Sequence, residues 1–195
     1  YLPYFRNSNK GKLLMKDLLT HQAGLKDWIP FWKETVRSDS SFRRRTFTCD
    51  ESDDFPIKVA DNLYIHKNYR NKIMNEIRKS PLGPKKYVYS DLTFIISTGI
   101  IDRLSGEEWV EYVTRNLYHK LGAYDICFNP YLKYPLHRIV PTEYDSLFRR
   151  QLLHGTVHDE GAAMLGGISG HAGLFATAND LMKLMEMYRR MGDYG

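Results

Sequence analysis

Five stretches of the chain carry apolar residues at helical spacing. Residues 12–22 place Leu13, Leu14, Leu18 and Leu19 on one face, and Gly24 beyond them suits the left-handed stop of a helix. Residues 68–79 align Tyr69, Ile73 and Ile77 before Pro81 ends the run. Residues 92–104 are apolar on nearly every side, with Ser90 or Asp91 as N-cap and Gly106 as C-terminal stop, and a helix apolar all round is a buried one. Residues 107–121 open with two glutamates that suit the helix dipole, carry a stripe of Trp109, Val113 and Leu117, and stop at Gly122. Thr177, with Asp180 three residues on, opens a last helix whose expected buried stripe is Leu181, Leu184, Met185 and Tyr188.

Between these helices the signals are weaker. Residues 62–66 (NLYIH) alternate as an edge strand would. Residues 33–56 gain charge and lose apolar spacing, which predicts a long surface excursion with short helical pieces. Residues 124–153, punctuated by Pro130, Pro135 and Pro141, read as irregular, and the glycine-rich run 155–173 is expected to wrap some other surface. The fold class expected is mainly α with few short strands.

Composition narrows the function classes. Hydrophobic residues at 43% and charged residues at 26% are ordinary for a globular chain, and no apolar run approaches the ~20 residues that span a bilayer. The net charge of +5 is scattered, with one cluster at Arg43, Arg44 and Arg45, so nucleic acid is not expected as a partner. Cys49 and Cys127 match no metal or redox spacing. The 14 Tyr and 9 Phe suit core packing first and a substrate cleft second.

Three places could carry chemistry. At Tyr89-Ser90-Asp91 alternating residues give way to an apolar helix, and Tyr89 is either a core residue with a wet tip or a catalytic phenol. With a reference pKa of about 10, a phenol accepts a proton near neutrality only when a neighbouring cation favours the phenolate. Such a tyrosine serves as a general base beside a serine nucleophile. His154 to Glu160 (HGTVHDE) holds histidines and carboxylates, but the two His lie four apart in a loop, unlike the helical H-E-x-x-H pattern, so no metal is assigned. His158 and Asp159 are instead expected to organise the rim of a cleft and to bind substrate. His21 and His171 each sit beside glycine near a helix end, where a ring hydrogen-bonded to backbone is the simpler reading.

The stretches LLTHQAGL (18–25), YSDLTFIISTGIIDRLSG (89–106) and GGISGHAGLFATANDLMKL (166–184) occur in an order that resembles the serine β-lactamase and penicillin-binding-protein superfamily, in its class C β-lactamase-like and esterase branch. The opening YLPYF resembles the segment that follows the nucleophile helix there. The resemblance implies the helical portion of the β-lactamase/transpeptidase-like α/β fold. It also implies that Tyr89 matches the tyrosine of the Tyr-x-Asn motif, which acts with a lysine to activate the serine. Ser90 and Asp91 beside it become substrate-binding candidates. Asp91 stands where the family has Asn and offers only acceptors while ionised, which favours an ester or peptide-type substrate over a β-lactam.

Neither Ser-x-x-Lys nor Lys-Thr-Gly occurs; Lys79-Ser80-Pro81 is the nearest approach, and His171-Ala172-Gly173 comes too early to be the third motif. The chain is therefore expected to be a single partial domain over 1–195, lacking the nucleophile helix and most of the antiparallel sheet and inactive alone. The parent is expected to be an acyl-serine hydrolase of esters, amides or cell-wall-type substrates, periplasmic or secreted, with no cofactor. Its partners are that substrate and the missing flanking segments of the same domain. The competing expectation is a catalytically dead binding or regulatory module.

Overall fold

In the computed structural model, which describes residues 1–194, the molecule is organised around one buried helix and a small sheet. The chain runs α1 (Met15–Leu19), β1 (Phe47–Thr48), β2 (Ile57–Ala60), β3 (Leu63–Ile65), α2 (Tyr69–Lys79), α3 (Asp91–Ser105) and α4 (Trp109–Val113). It continues through β4 (Cys127–Phe128), β5 (Glu143–Asp145), β6 (Gln151–Leu153), α5 (Glu160–Met164), β7 (Leu174–Phe175) and α6 (Ala178–Arg189), with short 3₁₀ turns between. Helices outweigh strands, as the periodicity predicts.

α3 buries Leu92, Ile95, Ile96 and Ile100 together with Thr93 and Thr98, and Gly106 ends it in the left-handed region at φ 77°. α2 lays Tyr69, Ile73 and Ile77 into the same core. α4 buries Trp109 and widens into a π turn over Thr114–Tyr118 before Gly122 stops the run. Fully burying a Leu- or Ile-sized side chain contributes about 1.5–3 kcal/mol, so each of these residues is a sizeable contributor to stability.

Several expectations are corrected. The helix expected over 12–22 is only Met15–Leu19, because the chain already turns left-handed at His21 (φ 56°), ahead of Gly24. Gly24 serves another end: its own φ is 72°, and a Cβ there would lie 2.4 Å from the carbonyl oxygen of Gly83, whose N–H donates to the Gly24 carbonyl at 2.7 Å. β3 is the central strand of an antiparallel sheet ordered β1-β3-β2, not an edge, since Ile65 faces Phe47 on one side and Ile57 on the other.

The 33–56 excursion is partly core. Phe42, Phe47 and Trp32 gather around the fully buried Phe148, with ring centroids 5.7–6.0 Å away. The glycine-rich run also enters the core, because it contains α5, whose Ala162, Ala163 and Met164 are buried against β2. The 124–153 stretch is not wholly irregular, since β5 and β6 pair as a short antiparallel hairpin. Finally, α6 docks on a face rotated from the expected one. Asp180, Leu184 and Met187 are buried while Leu181, Met185 and Tyr188 are exposed. The Asp180 carboxylate takes the N–H of Asp125 and the ammonium of Lys183, and that polar anchor sets the rotation. Thr177 caps the helix as expected by accepting the Asp180 N–H at 3.2 Å.

Candidate active site

The corner at residues 87–91 is strapped to the loop 21–27. Val88 donates its N–H to the His21 carbonyl at 2.9 Å, Ser90 donates its N–H to His21 Nδ1 at 3.1 Å, and Asp91 donates its N–H to the Asp27 carbonyl at 2.9 Å. The Ser90 hydroxyl donates to the Lys26 carbonyl at 2.5 Å. Ser90 is 1% exposed and its hydroxyl is engaged, so the residue braces the corner and cannot meet a ligand, contrary to the expectation for it. Its side chain also leaves the N-cap of α3 without a side-chain hydrogen bond.

Tyr89 leaves this braced corner with 55% of its surface exposed. Its ring lies on that of His21, with centroids 4.5 Å apart and planes at 35°, and reaches Phe94 at 6.5 Å. The ring is therefore not part of the core of the described chain; it lies two residues ahead of α3 and faces outward.

Asp91 begins α3 and is half-buried. Burial raises its carboxyl above the usual carboxylate range, Asp159 and Asp27 add to the rise, and His171 and His21 oppose it. Asp159 stands close by with the opposite shift. Its burial would raise the pKa, but a hydrogen bond with His171 and the Ala162 amide outweigh that and hold it below the ordinary value. Asp159 Oδ1 accepts the Ala162 N–H at 2.6 Å, capping α5, and lies 3.0 Å from His171 Nε2. His171 Nδ1 is 2.7 Å from the Ser169 hydroxyl. With Nε2–H donating to the carboxylate, Nδ1 accepts from that hydroxyl, which fixes the imidazole at both ends.

Asp91, Asp159 and His171 line one small cavity of about 30 Å³ together with Trp28 and Phe31. That holds about one water and no substrate. In this structure Asp159 caps α5 and clamps His171. His158, its neighbour in sequence, is exposed and lines a different and larger groove of about 660 Å³, with Arg138, Ile139 and Thr142 on one wall and Leu174 to Thr177 on the other. The structure therefore brings Tyr89, Ser90, Asp91 and Asp159 to the N-terminal end of α3 and α5 and separates His158 from them.

Sequence reasoning assigned no part in this assembly to His21 or His171. Their place near helix ends was the available signal, and it was correct as to backbone bonding for His21 alone. Among the described residues no group of three or more His, Cys, Asp or Glu side chains is arranged to hold a metal ion, and no helix is long and apolar enough to cross a membrane.

Comparison with known proteins gives the family of the chain. The family model described as Beta-lactamase matches residues 1–194. A protein of Escherichia coli (strain K12) named "Putative D-alanyl-D-alanine carboxypeptidase" is 30% identical over 217 residues, covering all of this chain and 44% of that protein. Among solved structures, a class C beta lactamase from Rhodobacter sphaeroides superposes with a TM-score of 0.57 at 16% identity, over all of this chain and 44% of that one. The octameric penicillin-binding protein homologue from Pyrococcus abyssi gives 0.56 at 17% identity, over 94% of this chain and 36% of that one. The chain spans less than half the length of these relatives, and within that span its fold follows that of the solved structures. The chain belongs to the beta-lactamase family of serine hydrolases.

Proposed function

We propose that this chain supplies the general base and one wall of the cleft of an acyl-serine hydrolase, with Tyr89 taking the proton of a serine carried on another part of the polypeptide. The observation that carries the reading is the Tyr89 corner: an outward-facing phenol on a backbone fixed by four hydrogen bonds to residues 21–27. In the reaction, Tyr89 as phenolate accepts the serine proton while the serine oxygen attacks the substrate carbonyl. An ester alcohol or amine leaves with that proton, and water then releases the acyl group. The phenolate requires a cation near its oxygen, which the family's lysine would supply.

The substrate class follows from the relatives named as carboxypeptidases: a peptide of cell-wall type, or an ester, with a periplasmic or secreted location. Asp91 offers acceptors where an Asn would offer a donor as well, which suits a substrate presenting N–H or O–H groups. Since the chain spans 44% of the Escherichia coli relative and contains no Ser-x-x-Lys, residues 1–195 are proposed to act as part of a longer polypeptide and to be inert alone. The same missing motif supports the second reading, a binding or regulatory module without catalysis.

In the full-length protein, Tyr89→Phe is expected to lower turnover of a p-nitrophenyl ester or a D-alanyl-D-alanine peptide by about 10²–10⁴-fold with folding intact. Unchanged turnover would remove Tyr89 from the mechanism. Full-length protein inert to substrate and to a fluorescent penicillin would favour the module, and covalent labelling of residues 1–195 alone would reveal a nucleophile within them.

A further inference from the structure

We infer that His21 is a positioning residue for the reaction, holding Tyr89 and its corner in register; this rests on the reading of Tyr89 as proton acceptor. His21 comes from the end of α1, remote in sequence from the corner, yet two of the four hydrogen bonds that order the corner pass through it. Its carbonyl accepts the Val88 N–H and its Nδ1 accepts the Ser90 N–H, so the residues on either side of Tyr89 are both tied to it. Its ring packs against three aromatic neighbours at once: Tyr89 at 4.5 Å, Phe94 edge-on at 5.5 Å and Tyr87 edge-on at 6.1 Å.

The state of the imidazole follows from its partner. A backbone amide can only donate, so Nδ1 carries no proton and Nε2 does. With Nδ1 committed to Ser90, the ring's contribution is geometric. Tyr89, 55% exposed, would otherwise be free to sample rotamers, and fixing such a ring costs conformational entropy that the His21 contacts offset. A base displaced by about 1 Å loses about 10²-fold in rate. His21 itself sits in the left-handed region at φ 56°, where most side chains are strained and where Asn and Gly are tolerated.

That backbone preference supplies a clean pair of variants. His21→Gly accepts the φ but removes both acceptor and ring. His21→Asn accepts the φ and keeps a side-chain acceptor for the Ser90 N–H. In the full-length protein, His21→Gly is expected to lower kcat for a p-nitrophenyl ester about 10²-fold with KM within about threefold of the parent. It should also speed hydrogen exchange of the Ser90 amide about tenfold. His21→Asn is expected to restore most of both. A glycine variant with parental kcat, or an asparagine variant no better than glycine, overturns the inference. If Tyr89→Phe is inactive while His21→Gly is active, this inference alone falls. If Tyr89→Phe is fully active, the base assignment falls and takes the inference with it. A parent protein inert to both the ester and a fluorescent penicillin overturns both.

Discussion

Replacing Arg149 with Met tests how the fold holds the chain just ahead of Asp159. Arg149 and Asp145 are a buried ion pair, their side chains 0% and 3% exposed, with Arg149 Nε donating to Asp145 Oδ2 at 2.6 Å. The carboxylate also accepts the N–H groups of Leu147, Phe148 and Arg149 at 2.8–3.0 Å, so the hairpin turn between β5 and β6 is wound around it. At its other end the guanidinium donates to the carbonyls of Val157, at 2.7 Å, and of His158. Methionine keeps the length of the stem but leaves a buried carboxylate without its cation and two carbonyls without their donor. Breaking one side of a buried pair costs about 3–5 kcal/mol, against about 0–1 kcal/mol for a surface pair. Equilibrium urea unfolding is the assay. Asp145→Ala should cost a similar amount, and the double variant should lose less than the sum, with a coupling of about 0.5–3 kcal/mol. Acid titration gives an independent readout. Burial would raise the Asp145 carboxyl, but the Arg149 hydrogen bond and the Phe148 and Arg149 amides hold it below the ordinary value of 3.8. A depressed folded pKa stabilises the protein above the unfolded value, and this stability is lost as pH falls through the folded one. The Met variant should therefore lose part of the acid-side slope. A destabilisation under about 1 kcal/mol with the slope unchanged would mean that the pair behaves as if solvated, and would refute the reasoning.

Two further outcomes are expected. The Lys10 ammonium donates to the Ser80 carbonyl at 2.6 Å at the end of α2, so Lys10→Met should cost about 1–3 kcal/mol in urea unfolding. Burial pushes Lys10 from 10.5 down to about 8, so the unfolded chain binds more protons between those values; stability should rise with pH across that window in the parent and not in the variant. Asp91→Asn removes a carboxyl that burial, Asp159 and Asp27 hold above the usual range, so the parent should lose stability as pH rises through the folded value of Asp91 and the variant should not. Its unfolding free energy in urea at neutral pH is expected to rise, and a loss would show that Asp91 is held by partners it needs.

Where an element is decided by its own residues, it was legible in the sequence. α2, α3 and the capped start of α6 lie where periodicity, Ser90, Gly106 and Thr177 put them. Where tertiary contacts decide, the pattern misled. The apolar stripe of α6 is broad enough for two dockings, and the Asp180–Lys183–Asp125 anchor selects the one that exposes Leu181, Met185 and Tyr188. Short strands such as β1 carry too few residues to show alternation, and the core role of Phe42 and Phe47 depends on Phe148, which is distant in sequence.

The site follows the same division. The position of the Tyr89 corner was legible because it precedes a helix with strong local signals. Asp159 and His158 were paired by adjacency, yet in extended backbone successive side chains point to opposite sides, and Asp159 enters α5 as an extended N-cap facing His171 while His158 faces the large groove. What joins the distant pieces is close backbone approach. Leu18 accepts from Thr93 Oγ1 at 3.4 Å and His21 holds Ser90, so the first motif stretch grips the second. Gly170, in the third stretch, sits so near α3 that a Cβ there would lie 2.6 Å from the Phe94 carbonyl oxygen. The next residue, His171, is thereby brought to the small cavity that it shares with Asp91. Each of the three stretches that carry the family resemblance thus contributes contacts around the first turns of α3, just ahead of which Tyr89 lies, and a side chain added at Gly170 would push the third stretch away from that point without touching the tyrosine itself.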